Sequence, residues 1–150
     1  FLYFTGSTKA EVAASQVGNL NHPQYPGLED FGDVLVRGNG GTGYIRVDWF
    51  TPAGLGTWGD GRLTIIGTEG YIELRKYIDI AGQPGTDHVF IVDKAGVSRV
   101  DAAGAGTPFF GRLVFDLEQG TETAMPQAHA FLATDLALQA QRMAETGAGQ

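Results

Sequence analysis

The sequence contains no cysteine, so it can form neither a disulfide nor a thiolate metal site, and this absence is compatible with any cellular compartment. Positive charge is also scarce, because 10 Lys and Arg face 17 Asp and Glu and the formal net charge is -7. The longest basic run is the pair Arg75 and Lys76. Binding to a phosphate backbone needs clustered cations, so we expect no nucleic-acid partner.

Long apolar runs are missing as well. No stretch approaches the roughly 18 residues that a membrane-spanning helix needs, and the first residues lack the basic start of a signal peptide. We therefore expect no membrane partner and a cytoplasmic location. Hydrophobic residues make up 43% of the 150 residues, which is enough for a packed domain. Glycine, with 23 residues, is about twice as frequent as its usual share of roughly 7%, and indicates many tight turns.

The sequence is organised around residues 43–76. Residues 44–50 alternate polar and apolar side chains, residues 51–61 form a loop dense in glycine, and residues 62–75 return to strand-like residues. This pattern predicts two long strands joined by a rigid loop. Loops on rigid scaffolds commonly carry binding groups, so the loop is the first place to search for a site.

Further strands are predicted on both sides of this pair, and residues 19–30, with two prolines, form a long irregular connection. Two helices follow the strands, because apolar residues recur at intervals of three and four after Thr107. The predicted strands are 9–19, 33–37, 44–50, 62–66, 70–76, 88–93 and 97–101, and the predicted helices are a short one that ends before Gly6, one over 109–120 and one over 121–146 with Pro126 in its first turn.

Strands followed by helices predict the α+β class, with an open, mostly antiparallel sheet and helices packed on one face. The alternation leaves a second set of large apolar residues that cannot reach the same helices. An uncovered apolar face favours an oligomer or a partner domain. That set is Tyr44, Phe50, Tyr71, Phe90 and Val92.

Two matches to the dinucleotide fingerprint G-x-G-x-x-G occur. One is formed by Gly38, Gly40 and Gly43, and the other begins at Gly54 and ends at Gly59. The fingerprint binds pyrophosphate only between a strand and a helix, and strands follow both matches. We interpret these residues as turn glycines.

Trp58, Asp60 and Arg62 are the sharpest candidates for ligand contact. An aromatic ring, a carboxylate and a guanidinium within five residues could stack on a sugar ring and bond its vicinal hydroxyls. The alternative is an Asp-Gly turn with a solvated ion pair and a tryptophan that closes the sheet edge. The residues alone leave both interpretations open.

The sequence has three histidines, and no two are spaced like the ligands of a helical zinc site, so we expect no metal. His22, in the irregular connection, either hydrogen-bonds a ligand or is an exposed residue without a role. His129 is expected at the boundary of the last helix, and His88 opens a strand. No complete catalytic set can be recognised from the residues.

Residues 30–77 resemble the C-terminal half of the Gfo/Idh/MocA oxidoreductases, and the similar order of elements extends over nearly the whole chain. The most characteristic part is I-x-G-T-x-G-x-I-x-L, which runs from Ile65 through Gly67, Thr68 and Gly70 to Leu74. The resemblance implies an NAD- or NADP-dependent oxidoreductase of a sugar, a polyol or a related carbonyl compound, and a homo-oligomer formed through the sheet face.

The resemblance also implies that residues 1–150 are the C-terminal substrate-binding and oligomerisation domain, and that the nucleotide-binding Rossmann domain is absent from this chain. The family's E-K-P lysine and its D-x-G-x-H acid-base residue precede an L-x-x-F-x-G segment, of which this chain retains Leu2, Phe4 and Gly6. We therefore expect no catalytic residue and no bound cofactor on this chain alone.

The expected substrate contacts are Trp58, Asp60 and Arg62, then His22 and His129. The alternative is a stand-alone ligand-binding or assembly module that has no redox role.

Overall fold

The computed structural model describes residues 1–147, and its helices and strands follow one another in the predicted α+β order. The strands are β1 (Ala10–Gly18), β2 (Phe31–Gly38), β3 (Gly41–Asp48), β4 (Gly61–Gly67), β5 (Gly70–Lys76), β6 (Asp87–Asp93) and β7 (Gly96–Asp101). The helices are α1 (Leu2–Thr5), α2 (Phe109–Gln119) and α3 (Gln127–Gly147), with a 3-10 turn at Ala53–Leu55.

The chain divides into two compact units. The first unit contains Phe1–Phe50 and the chain from Pro108 onward, and the second unit is Thr51–Thr107.

The first unit is a three-stranded antiparallel sheet in the order β1-β2-β3, with α3 packed on one face. β-Branched residues suit this sheet because their side chains pack well on a pleated surface. Val12 and Val36 of the sheet bury against Leu136 of α3 and Leu2 of α1. Burying a side chain of this size stabilises a fold by roughly 1.5–3 kcal/mol. The small core therefore fixes β1, β2 and the two helices together.

The glycines of the first G-x-G-x-x-G match lie where β2 and β3 pass the segment around α1. A Cβ on Gly40 would lie 2.0 Å from the carbonyl oxygen of Thr5, and one on Gly43 would lie 2.7 Å from the ring of Phe1. These glycines therefore permit a close approach of the chain to itself, which is a different role from cradling a pyrophosphate.

The face of this sheet opposite Val36 mixes polar side chains with apolar ones, and Leu35 and Tyr44 on it are exposed. The Asp33 carboxylate accepts hydrogen bonds from Nε2 of Gln16 at 3.1 Å and from the Tyr44 hydroxyl at 3.0 Å. Because of the Asp33 hydrogen bond, the pKa of Tyr44 is raised above its ordinary value. The guanidinium of Arg46 lies over the ring of Phe31, 4.9 Å from its centre.

The second unit is a four-stranded antiparallel sheet in the order β4-β5-β6-β7. Its registers place two kinds of side chain on opposite faces, because successive residues of a strand alternate. One face is aliphatic, and Leu63 and Ile72 on it keep 38% and 37% exposure. Its members are Leu63, Ile65, Ile72, Leu74, Val89, Ile91 and Val100. The other face mixes the charged residues Arg62, Glu73, Arg75, Arg99 and Asp101 with His88 and with apolar residues that include Tyr71, Phe90 and Val92 of the predicted uncovered set.

The segment between α2 and α3 is held by one buried carboxylate. Gly120 ends α2 with a φ of 67°, and Asp116 then accepts hydrogen bonds from Thr121, Thr123 and Ala124. These bonds hold residues 121–124 in a turn. Helix α3 therefore begins at Gln127, just after Pro126, and not at residue 121 as the apolar pattern predicted.

The α+β class and the antiparallel pairing of neighbouring strands are confirmed. The strands form two hydrogen-bonded sheets, whereas the sequence predicted one, because the loop between β3 and β4 separates the two sets. Within residues 1–147, no helix is both long enough and apolar enough to cross a membrane.

Candidate functional site

Residues 19–30, between β1 and β2, form a loop that is organised by Asn19 and Asp30. The side-chain amide of Asn19 donates to the carbonyl oxygens of His22 and Tyr25, and its oxygen accepts from the amide of His22. Asp30 is fully buried and accepts from the amides of Leu20 and Asn21. Asx side chains often make such backbone bonds, and here they replace the missing regular structure.

His22 pairs with Asp30 inside this loop. Nδ1 of His22 lies 2.7 Å from Oδ2 of Asp30, and the histidine side chain is 29% exposed. Burial alone would raise the pKa of the Asp30 carboxyl, but hydrogen bonds from Leu20, His22 and Asn21 outweigh it and hold that pKa below its ordinary value. An ionised carboxylate only accepts hydrogen bonds, so Nδ1 carries the proton.

Beside this pair, the ends of β1, β2 and β3 enclose a cavity of about 240 Å³ in the first unit. Asp30 forms part of its wall. Aromatic walls and carboxylates are the groups that bind hydroxylated rings, because hydroxyls donate to carboxylates and ring faces stack. The cavity is lined by Val17, Glu29, Asp30, Phe31, Gly32, Val47, Asp48, Trp49 and Gln141.

Two of the lining carboxylates are held by partners. Oδ2 of Asp48 accepts from Nε of Arg46 at 2.7 Å, and its Oδ1 accepts from the amide of Phe50, so the pKa of Asp48 is lowered chiefly by Arg46. Glu29 accepts from Nε2 of Gln141 at 3.3 Å, which connects the loop to α3. The backbone amide of Trp49 donates to the carbonyl oxygen of Asp30. The cavity wall is therefore preformed and carries negative charge.

In the second unit, Asp60 and Arg62 form a two-point ion pair. Nη2 and Nε of Arg62 lie 2.7 and 3.3 Å from the two carboxylate oxygens of Asp60. The Asp60 hydrogen bond raises the pKa of Arg62 above its ordinary value. Trp58 is 88% exposed, an unusual position for so large an aromatic ring. The ion pair is thus confirmed as a contact, while a role of these three residues in substrate binding stays a prediction.

The remaining histidines occupy different settings. His129 is half-buried in the first turn of α3, in the first unit, and no hydrogen bond joins it to His22 within residues 1–147. His88 is fully buried in the second unit, bonded to the Gly85 carbonyl and to Arg99. The described part of the chain contains no group of histidine and acidic residues that could hold a metal ion.

Sequence reasoning identified His22 but missed Asp30, Asp48 and Gln141. An aspartate at the end of a loop that contains two asparagines was the available signal for Asp30, because Asx residues cap and close loops. Gln141 could not be recognised, since a polar residue on a helix is ordinarily solvated and its contact with Glu29 spans 112 residues.

Among the solved structures that this chain resembles is a protein from Erwinia carotovora atroseptica SCRI1043 that is provisionally described as an oxidoreductase. The similarity covers 96% of this chain and 44% of that one, with a TM-score of 0.91 and 51% sequence identity. This fold therefore occurs in a protein described as an oxidoreductase.

A protein from Thermotoga maritima with the same provisional description is also similar. In that case the similarity covers 97% of this chain and 41% of the other, with a TM-score of 0.76 and 25% identity. The chain thus spans less than half the length of either protein. No protein-family model and no curated protein sequence matches the chain.

Proposed function

We propose that this chain is the substrate-binding and subunit-contact part of a longer NAD- or NADP-dependent oxidoreductase that acts on a sugar, a polyol or a related carbonyl compound. The observation that carries the proposal is the similarity to the Erwinia protein over 96% of this chain at 51% identity. The assignment to the Gfo/Idh/MocA family and a cytoplasmic location remain predictions that rest on the sequence.

The surroundings of the glycines indicate that a nicotinamide dinucleotide does not fit the described residues alone. Gly40 packs against the backbone of Thr5, and Gly56, with a φ of 72°, caps a 3-10 turn in a loop that continues into β4. Neither match therefore precedes the helix N-terminus that a pyrophosphate needs. The cofactor would bind to the part of the longer polypeptide that the Erwinia and Thermotoga proteins have in addition.

The cavity of the first unit supports a neutral, hydroxyl-bearing substrate. Carboxylates of Glu29 and Asp48 can accept hydrogen bonds from hydroxyls, whereas they repel the phosphate or carboxylate of an anionic ligand. The apolar side chains of Val17 and Val47 can contact the carbon skeleton. We place the substrate in this cavity, with His129 of the same unit as a further candidate contact. Trp58, Asp60 and Arg62, which lie in the second unit, stay ligand contacts predicted from the sequence.

The aliphatic face of the second unit supports the proposed homo-oligomer, whereas the sequence placed the uncovered apolar residues of this sheet, Tyr71, Phe90 and Val92, on its opposite face. A single sheet is stable only when its apolar face packs against another layer, and its aliphatic side chains remain partly exposed. A second copy could provide that layer.

A fluorescence titration with NADH and with NADPH tests the proposal. The longer polypeptide should quench or enhance nicotinamide fluorescence saturably, and the 150-residue chain alone should leave it unchanged. Failure of the longer polypeptide to bind either nucleotide would overturn the proposed function. In that case the alternative of a binding or assembly module would be favoured.

A further inference from the structure

The His22–Asp30 pair has a geometry that defines which nitrogen of the histidine can meet a ligand. Both oxygens of Asp30 are already bonded to backbone amides, Oδ1 to Leu20 at 2.8 Å and Oδ2 to Asn21 at 2.9 Å. A carboxylate with these donors accepts a third bond from Nδ1 of His22. The proton of the neutral ring therefore sits on Nδ1, and Nε2 presents a lone pair.

Nε2 of His22 forms no hydrogen bond with any of residues 1–147. The side chain is 29% exposed, so this nitrogen is accessible from outside the loop. A histidine that served only to hold the loop closed would need only its Nδ1 contact. The second nitrogen is available for something the described residues do not supply.

The backbone on both sides of the ring is fixed. Asn19 bonds both the amide and the carbonyl of His22, and the Asp30 carbonyl accepts from the Trp49 amide at the end of β3. Asp30 is also one of the residues that line the cavity. The ring is therefore held at the edge of the proposed substrate site, with little entropy left to lose when a ligand binds.

We propose that Nε2 of His22 is a hydrogen-bond acceptor for a hydroxyl of the substrate, and that Asp30 is the positioning residue that fixes the ring in the accepting tautomer. The inference rests on the proposed function, because it assigns a contact to that substrate. A neutral acceptor selects ligands with a donor at this position, and a deoxy analogue would leave it unpaired.

Two variants of the longer polypeptide separate this role from a purely structural one. In His22→Asn the amide nitrogen can occupy the place of Nδ1 and still donate to Asp30, while the acceptor at Nε2 is gone. The matched control is Tyr25→Phe in the same loop, because the Tyr25 hydroxyl makes no hydrogen bond with residues 1–147. Both variants should unfold at the wild-type temperature.

The probe ligands are myo-inositol, D-glucose and glycerol, and binding is measured by calorimetry. For the probe that binds best, His22→Asn should weaken binding roughly three- to tenfold, the effect of one lost hydrogen bond, and Tyr25→Phe should leave it unchanged. Equal binding by His22→Asn and the wild type would overturn the inference.

Carbethoxylation of histidine provides a readout that is independent of affinity, because diethylpyrocarbonate attacks an unprotonated, accessible ring nitrogen. His22 should be labelled at Nε2 and protected by the bound probe, while the fully buried His88 stays unlabelled. If His22 is not labelled, or if a bound probe does not slow its labelling, the inference about Nε2 is wrong while the proposed function is unaffected. If neither the probes nor the nicotinamide nucleotides bind to the longer polypeptide, both the inference and the proposed function are wrong.

Discussion

Nη2 of Arg99 lies 3.3 Å from Nδ1 of the fully buried His88, and this contact defines the tautomer of that histidine. A guanidinium can only donate, so Nδ1 must accept and the ring proton must sit on Nε2. Nε2 in turn lies 3.0 Å from the carbonyl oxygen of Gly85, which it can donate to. Both nitrogens of His88 therefore form hydrogen bonds, one with Arg99 of β7 and one with the loop before β6. The ring proton of His88 sits on Nε2, whereas that of His22 sits on Nδ1.

Replacing His88 should therefore destabilise the second unit. We expect His88→Leu to reduce the free energy of unfolding by about 1–3 kcal/mol, since two hydrogen bonds are lost, and His88→Asn, which retains an acceptor for Arg99, to cost less. Urea unfolding followed by the fluorescence of the protein measures both variants. Wild-type stability of His88→Leu would show that neither contact contributes.

Asp116 should make the stability of the fold decrease steeply as the pH is lowered into the acid range. Burial would raise the pKa of its carboxyl, but hydrogen bonds from Thr121, Ala124 and Thr123 outweigh burial and hold the pKa well below its ordinary value of 3.8. The folded state thus favours the ionised carboxyl, so this stabilisation is complete above the ordinary value and declines as the pH falls below it.

The test of this pH dependence compares Asp116→Asn with the wild type in urea at neutral and acid pH. The variant should be less stable near neutral pH and should lose less stability on acidification. Glu118→Gln is the control on the same helix, because its exposed carboxylate makes no hydrogen bond with residues 1–147. Parallel stability curves for Asp116→Asn and the wild type would contradict the account.

Much of the fold could be predicted because its signals are local. The alternation around His88 and the glycine at position 120 fall within a few residues of the elements they define, and β6 and α2 were found nearly at their observed bounds. The start of α3 was missed because Asp116 captures Ala124, eight residues further along the chain. The helix propensities of residues 121–126 contain no information about such a hydrogen bond to a side chain of the preceding helix.

The site was harder to predict because its contacts depend on the folded chain. His22 was recognised as a histidine in a loop, but its pairing with Asp30 could not be predicted, because the two residues meet only in the folded loop. Asp60 and Arg62 were recognised as a pair because they are two residues apart on an extended chain. The cavity, built from three strand ends and α3, had no sequence signal.

Asp60→Ala in the longer polypeptide should raise the Michaelis constant for the substrate by roughly three- to tenfold and leave the turnover number nearly unchanged. The expected cause is loss of a carboxylate that bonds substrate hydroxyls and holds Arg62 in place. Glu69→Ala, in the turn between β4 and β5, is the control, because the Glu69 side chain makes no hydrogen bond with residues 1–147. Steady-state kinetics with an unchanged Michaelis constant would remove Asp60 from the site.

Ile72→Lys should dissociate the proposed oligomer. The substitution places a charge on the aliphatic face of the second unit, and burying an unpaired ammonium between two copies is costly. Thr64→Lys introduces the same charge on the opposite face, beside Glu73, and should leave assembly intact. Sedimentation velocity reports the species in both variants. If Ile72→Lys sediments like the wild type, the aliphatic face is not the interface.

The most direct test of the central claim is turnover by the longer polypeptide. Incubation with NAD⁺ or NADP⁺ and each of myo-inositol, D-glucose and glycerol, followed through the absorbance of the reduced nicotinamide, measures oxidoreductase activity without assumptions about the site. We expect reduction of one nucleotide with at least one of these substrates, and a loss of rate in the Asp60→Ala and His22→Asn variants at limiting substrate. No reduction with any combination, from a folded protein that nevertheless binds the polyols, would contradict the central claim and identify a binding module.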